Sequence, residues 1–389
     1  MNPYDFVPIE IDYPPELRRP VWHNALAPNA EHPAKLYSGS LVLNIKAETP
    51  LFIGATTSNT QDPDHPGEHK RNKAGKPIIP GTAIKGLLRT VVETLCRGCL
   101  TGYEARPQYR PYPYPAPRGF EPCDNDTRLC VACRLFGMMA RERKKDHLFL
   151  GKVSVMDAVA YPKQCEFASP IYTAVLEGPK HRHSAFYQNA RGELAGRKFY
   201  FHQATLAEED ELIEIKPKPG EYRNHAAKKY RNQHIRPIQA GSWFQGSLTF
   251  HNLEADEFAA LLFALSLKES NMRHKIGYGK PIGLGSALIN IQEMTLVDYA
   301  TRYTNLTSQG SRGLRSLDED EMDELIAEKM APHDQEIYDA WRRYRDLPSL
   351  DRLYEIWHWP VAENVEYFYP GQRWFQQNPR APIAATRGM

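Results

Sequence analysis

Ser40 to Gly54 reads SLVLNIKAETPLFIG, and Ile78 to Leu95 reads IIPGTAIKGLLRTVVETL. In the first stretch Leu41, Leu43 and Ile45 alternate with polar neighbours, the period of a half-buried strand. In the second, Ile84, Leu87, Leu88, Val91, Val92 and Leu95 recur at helical spacing, and Thr82 stands as the expected N-cap after Gly81. Residues 56–77 between them are polar and broken by Gly and Pro, the composition of an exposed loop. Working outward, KVSVMDAVAY (152–161) and SWFQGSLTFHNL (242–253) read as strands. EADEFAALLFALSL (254–267) reads as an amphipathic helix with Phe258, Leu261, Leu262 and Leu265 on one side. KIGYGKPIGLGSALINIQEM (275–294) is a glycine-rich turn running into a strand. Strand, helix, strand, insertion, strand, helix, strand is the βαββαβ order of a ferredoxin-like (RRM-like) core. The expected class is therefore α+β. The boundaries are an irregular N-terminal arm over 1–37, a core over 38–293, and a helical C-terminal extension over 294–389. Within the core sit a cysteine-rich insertion (96–150) and a second large, aperiodic one (176–240).

The chain has 389 residues, 49 Lys+Arg against 47 Asp+Glu, and 41% hydrophobic residues. That is enough for a real core and one large or two ordinary domains. No window approaches the roughly 20 apolar residues of a membrane span. The start, MNPYDFVPIEIDYPP, lacks the basic-then-apolar grammar of a signal peptide. The expectation is a cytoplasmic protein with no membrane partner.

Five of the six cysteines (Cys96, Cys99, Cys123, Cys130, Cys133) fall within 38 residues, and Cys165 stands apart. In a reducing compartment such clustering reads as metal binding. Cys96-x-x-Cys99 and Cys130-x-x-Cys133 have the spacing of a tetrahedral zinc site, and four thiolates would leave no open position, so Zn²⁺ would be structural. The expected ligands are Cys99, Cys123, Cys130 and Cys133, with Cys96 assigned to the last helical turn and His69 and His147 as possible substitutes.

Charge is segregated along the chain. Lys216 to Arg236 holds seven Lys/Arg, including Lys228, Lys229 and Arg231, against one acid, Glu221, with Tyr222, Tyr230, His225 and His234 interleaved. Basic residues with stacking partners suit single-stranded RNA. Arg141 to Lys145 is a second basic run, whereas Asp318 to Glu324 is acidic and suits a solvated face or a protein contact. Lys85 and Arg89 lie four apart at a helix start, where free N–H donors favour phosphate. Gly277, Gly279, Gly283 and Gly285 fall in nine residues beside Lys275 and Lys280, a pattern open to phosphate approach or to a plain hairpin. Asp62 and Asp64, in the polar loop, offer carboxylates that would recruit Mg²⁺ beside a bound RNA backbone.

Four blocks in order, TPLFIG, IPGTAIKGLLR, CVACRLFG and KIGYGKPIGLGSALINI, resemble the RAMP superfamily of CRISPR-associated proteins. GRKFYFHQ (196–203) and the blocks from IRPIQAGSWFQGSLTFHNL through EFAALLFAL are similar to type III-D-like backbone subunits. The resemblance spans residues 40–293. It implies a subunit that grips crRNA in a type III effector complex in a prokaryotic cytoplasm, with target RNA and other effector subunits as partners. It places RNA contacts at Thr82, Lys85, Arg89, Arg134, Lys275, Gly277, Gly279, Lys280, Gly283 and Gly285, and makes the 176–240 insertion a thumb. Some members cleave target RNA with an aspartate upstream of the IPG motif, a position that Asp64 fits first and Asp62 second. The HPGEHKRNKAGKP context departs from the family pattern. The competing readings are a metal-independent guide-processing endoribonuclease using His181, His183 or His225, and a stand-alone zinc-containing RNA-binding protein.

Overall fold

The chain opens with β1 (Tyr4–Pro8) and then lays down its first long strand, β2 (Tyr37–Ala47), whose Leu41, Leu43, Ile45 and Ala47 are buried while the residues between are half exposed. The computed structural model describes residues 2–21, 36–55, 65–101, 115–140, 147–173, 176, 183–203, 233–267, 271–304, 313–318, 320–322, 339, 347–361, 365, 367, 370 and 372–387. After β2 come β3 (Ile78–Ile79), α1 (Gly81–Leu95), α2 (Val131–Phe136), β4 (Gly137–Met139), β5 (Leu148–Leu150), β6 (Val153–Val155) and β7 (Ala158–Ala160). There follow β8 (Ile171–Tyr172), β9 (Gly196–Tyr200), β10 (His234–Ile235), β11 (Trp243–Leu253), α3 (Ala255–Ser266), β12 (His274–Lys275) and β13 (Ser286–Val297). The C-terminal part adds α4 (Tyr299–Thr304), β14 (Leu314–Leu317), α5 (Pro348–Trp357) and α6 (Gln372–Gln377). The protein is a mixed α+β structure around one eight-stranded antiparallel sheet of order β12-β13-β2-β11-β7-β3, with β6 also on β11 and β14 on β13.

Registers follow the apolar alternation. β2 pairs with β11 from Lys46↔Trp243 to Tyr37↔Leu253, and with β13 from Ala47↔Ala287 to Gly39↔Leu296. A one-residue slip would turn every Leu and Ile of β2 to the other face, so burial of that face fixes the register. The opposite face carries Asn44, Gln245, Asn290 and Gln292, with Gln245 Nε2 donating to Gln292 Oε1 at 3.0 Å.

Helices α1 and α3 pack on the apolar face and against each other. The expected α1 stripe is buried at Ile84, Leu88, Val91, Val92 and Leu95, with Leu87 half-buried, each full burial contributing roughly 1.5–3 kcal/mol. Thr82 is not its cap. Helix α1 begins two residues earlier than that cap implies, at Gly81 with Pro80 as N-cap, and Asp157 Oδ1 accepts the Gly81 N–H at 2.8 Å. Only glycine fits there, because a Cβ at residue 81 would stand 2.2 Å from the Val155 carbonyl oxygen. Helix α3 is apolar around its whole circumference rather than amphipathic: Ala259, Ala260, Phe263 and Ala264 are buried along with the expected side. Such a helix is a core element. Its start is closed by a reciprocal capping box between Glu254 and Glu257.

The N-terminal arm is not irregular throughout, since β1 pairs with β9 from Tyr4↔Tyr200 to Pro8↔Gly196 and buries Tyr4, Phe6 and Val7. The C-terminal extension is not purely helical or separate. β14 joins the main sheet, and α5 places Leu350, Leu353, Ile356 and Trp357 in the main core. Among the described residues no helix is long and apolar enough to cross a membrane.

Candidate metal centre and nucleic-acid interface

The cysteine cluster is assembled by the ends of two helices. Cys96 closes α1; Arg97 then takes a left-handed φ of 48°, and Gly98 N–H returns to the Glu93 carbonyl at 2.7 Å, which turns Cys99 inward. Cys130 is the N-cap of α2 and Cys133 lies in its first turn, so the x-x spacing puts both sulfurs on one side. Cys123 arrives from the connecting loop, and its Sγ accepts the Cys130 N–H at 3.5 Å. The four sulfurs of Cys99, Cys123, Cys130 and Cys133 all lie within 4.8 Å of one another and are buried. Cys99–Cys133 and Cys99–Cys130 measure 3.6 and 3.8 Å. A tetrahedron with metal–sulfur bonds of about 2.3 Å has edges of about 3.8 Å, so the group fits a metal ion such as zinc. Without a cation the four buried thiols cannot all ionise. Hydrogen bonding, first with Cys123, pushes Cys99 and Cys133 up and Cys130 down. A divalent ion removes that conflict by stabilising every thiolate at once. Cys96 and His69 stand outside the group, and His147 Nδ1 is 3.0 Å from Asp126 Oδ1 instead.

A groove of about 520 Å³ opens beside the cluster, lined by Lys85, Arg89, Cys123, Cys133, Met139 and Phe149. The β4–β5 hairpin forms its rim, with Met139, Leu148 and Leu150 strongly exposed. Thr82 and Gly86 are exposed on the same helix as Lys85, which is half-buried and has no hydrogen-bond or ion-pair partner among the described residues. Burial, then the Arg89 charge, lowers the Lys85 pKa. Arg89 is fully engaged: Nε donates to Glu93 Oε1 (2.8 Å), Nη1 to the Gly137 carbonyl (2.8 Å) and Nη2 to Cys133 Sγ (3.2 Å). Burial opposes its charge, but Cys133 and Glu93 outweigh that and hold its pKa above the usual value. Glu93 itself is also held by Arg197 of β9 at 3.1 Å.

Arg134, expected at RNA, is wholly buried. Its Nε lies 2.6 Å from Glu257 and its Nη2 2.9 Å from Asp256, while Lys152 takes the other Glu257 oxygen at 2.7 Å and Arg18 also meets Asp256. This network latches α2, and with it the cysteine pair, onto the start of α3.

The glycine loop is built by its glycines. Gly277, Gly279, Gly283 and Gly285 all have positive φ, and a Cβ on Gly285 would fall 1.8 Å from the Ile276 carbonyl oxygen. Most loop N–H groups are spent internally, as in Tyr278 to Phe52, Leu284 to Gly279 and Gly285 to Pro50. Lys275 is buried and donates to the Gly283 carbonyl (3.1 Å) and Ser286 Oγ (3.0 Å), and Ser286 Oγ meets His202 Nδ1 at 2.8 Å. Burial, then Lys280, lowers the Lys275 pKa to about 7. Lys275 therefore shapes the loop from behind. Lys280 is half-buried, has no partner among the described residues, and is left as the loop's available cation.

Asp62, Asp64, Lys228, Lys229, Arg231, His181, His225 and the run Arg141 to Lys145 lie outside the described residues. So does much of the acidic stretch, of which Asp318 and residues 320–322 are described. His183 is buried, with Nε2 2.8 Å from the Ala381 carbonyl, and is closed to a catalytic role. Sequence reasoning missed Asp157, Glu93, Arg197 and the β4–β5 rim. The rim had one signal, an apolar Met138–Met139 pair directly after the cysteine helix.

Comparison with curated proteins finds no match. The family model described as RAMPs, the RAMP superfamily, matches residues 44–288, well over half of the chain, from within β2 into the start of β13. That span holds both helices of the sheet layer, the cysteine cluster and the glycine loop. The chain belongs to the RAMP superfamily, a membership that points to a CRISPR-related RNA-binding role.

Proposed function

We propose that this chain is a crRNA-binding backbone subunit of a type III CRISPR effector complex in a prokaryotic cytoplasm. The observation that carries the reading is the family match over residues 44–288 falling on a sheet of suitable order. Reading β2, β6/β7, β11 and β13 as the four core strands gives spatial order four, one, three, two, all antiparallel, with α1 and α3 as the two crossovers. This supports a ferredoxin-like core. Thr82, Lys85 and Lys280 are the contacts we assign to the guide backbone among the described residues, with Lys228, Lys229 and Arg231 added from the thumb-like insertion. The backbone of Gly277, Gly279, Gly283 and Gly285 forms the adjoining turn. Cys99, Cys123, Cys130 and Cys133 hold a structural Zn²⁺. Asp64, with Asp62 second, is the candidate to recruit Mg²⁺ for target-RNA cleavage.

The test is reconstitution with guide RNA and neighbouring subunits, followed by incubation with target RNA and Mg²⁺. Loss of one set of cleavage positions in Asp64→Ala is the expected result; intact cleavage throughout would remove the catalytic assignment. Failure of guide RNA to enter any assembly containing the chain would remove the subunit reading itself.

A further inference from the structure

We infer that Arg89 belongs to the metal centre rather than to the RNA-facing surface: it is the cation that offsets the thiolate charge and fixes the orientation of Cys133. The inference rests on the reading that the four cysteines hold Zn²⁺. Four thiolates around a divalent ion carry a net charge of about −2, and that charge lies in a buried pocket. Among the described residues Arg89 is the side-chain cation that donates to a sulfur of the cluster, at 3.2 Å from Cys133. Its other two nitrogens are anchored at both sides of the site. Glu93 lies on the turn of α1 that leads to Cys99, and Gly137 ends α2 just past Cys133. One rigid fork therefore ties the last turn of α1 to the carbonyl that closes α2 and to the Cys133 sulfur. Groups that orient metal ligands from outside tune affinity as the ligands do. A planar, three-point donor suits that task better than a flexible ammonium. To reach a phosphate, Arg89 would have to leave three partners, whereas Lys85, one turn earlier in the same groove, leaves none among the described residues. The metal centre and the groove thus share Arg89, Cys123 and Cys133, so occupancy of the centre would set the groove's inner wall.

The experiment uses the full chain loaded with Zn²⁺, or with Co²⁺ as a spectroscopic probe, in competition with a chelating dye. Arg89→Gln should weaken metal retention by roughly 10- to 100-fold and shift the thiolate-to-cobalt charge-transfer band. Arg89→Lys should recover part of the retention, and Arg118→Gln, which removes an exposed cation of the same insertion, should behave as wild type. If Arg89→Gln loses its fold, Arg89→Lys decides, because it keeps the charge and loses the fork. Retention and a band equal to wild type in a folded Arg89→Gln, or in Arg89→Lys when that is the deciding variant, overturn the inference. A wild-type chain that yields no metal after thiol modification would instead remove the zinc reading beneath it.

Discussion

Lys275, His69, His202 and His274 are buried titratable groups whose neutral forms the fold favours, and each has a definite pH signature. Burial lowers His69 and His274 to about 4 from 6.5 and puts His202 well below its usual value. Between those limits the unfolded chain binds more protons, so stability should fall as pH drops from 6.5 towards 4. Lys275 obeys the same sign on the alkaline side. With a folded pKa of about 7 against 10.5, its burial cost is full below 7, and stability should rise as pH climbs from 7 to 10.5. Chemical denaturation across pH checks both windows, and Lys275→Met should reduce the upper slope while leaving the share of Lys198, which burial lowers to about 8. At the metal centre, Cys130→Ser should eliminate bound zinc, measured by elemental analysis; unchanged stoichiometry would exclude the site. The cysteine set was legible from clustering together with the helical stripe, which put Cys96 on the last turn of α1; pair spacing by itself would have kept Cys96 with Cys99. The fate of Arg134 was not. It adjoins Cys133 in sequence, yet its carboxylate partner Glu257 lies 123 residues away, and no local pattern announces that pairing.

Between elements, the decisive contacts are close approaches that patterns of apolar residues do not encode. The stripe of α1 and the alternation of β2 were legible because burial repeats with the period of the element. The seating of α1 against the β6–β7 turn depends instead on Gly81, with a Cβ contact of 2.2 Å to the Val155 oxygen, and on Asp157 capping its N–H. Gly81→Ala should cost about 1–3 kcal/mol in denaturant unfolding, the usual scale of overpacking. A variant as stable as wild type would show that the helix can slide. The latch between α2 and α3 makes a larger claim. Arg134→Met leaves Glu257 and Asp256 short of a buried partner and should cost about 3–5 kcal/mol. That loss should weaken zinc retention too, since the same helix carries Cys130 and Cys133.

Across the whole molecule, the near balance of 49 basic and 47 acidic residues conceals a division of labour. Internal ion pairs consume Arg89, Arg134, Arg197 and Lys152, so the cations available for a polyanion are fewer than the sequence suggests. Strand β1, the 183–187 segment, Tyr200 of β9 and α6 join in shared aromatic packing, with Tyr4, Phe6, Phe186 and Tyr187 against Trp374 and Phe375. Both ends of the chain therefore brace the core, which neither end's composition revealed, because its partners lie at the other extreme of the sequence. If Lys85 contacts a phosphate, Lys85→Ala should reduce the salt dependence of RNA binding by about 0.7 in log–log slope. Guide binding itself is tested most directly by sequencing the RNA that copurifies with the full chain from cells that also supply its neighbouring subunits. A guide-binding backbone subunit would yield one class of short RNAs sharing a common repeat-derived end. RNA-free protein, or RNA without any shared sequence, would contradict that role.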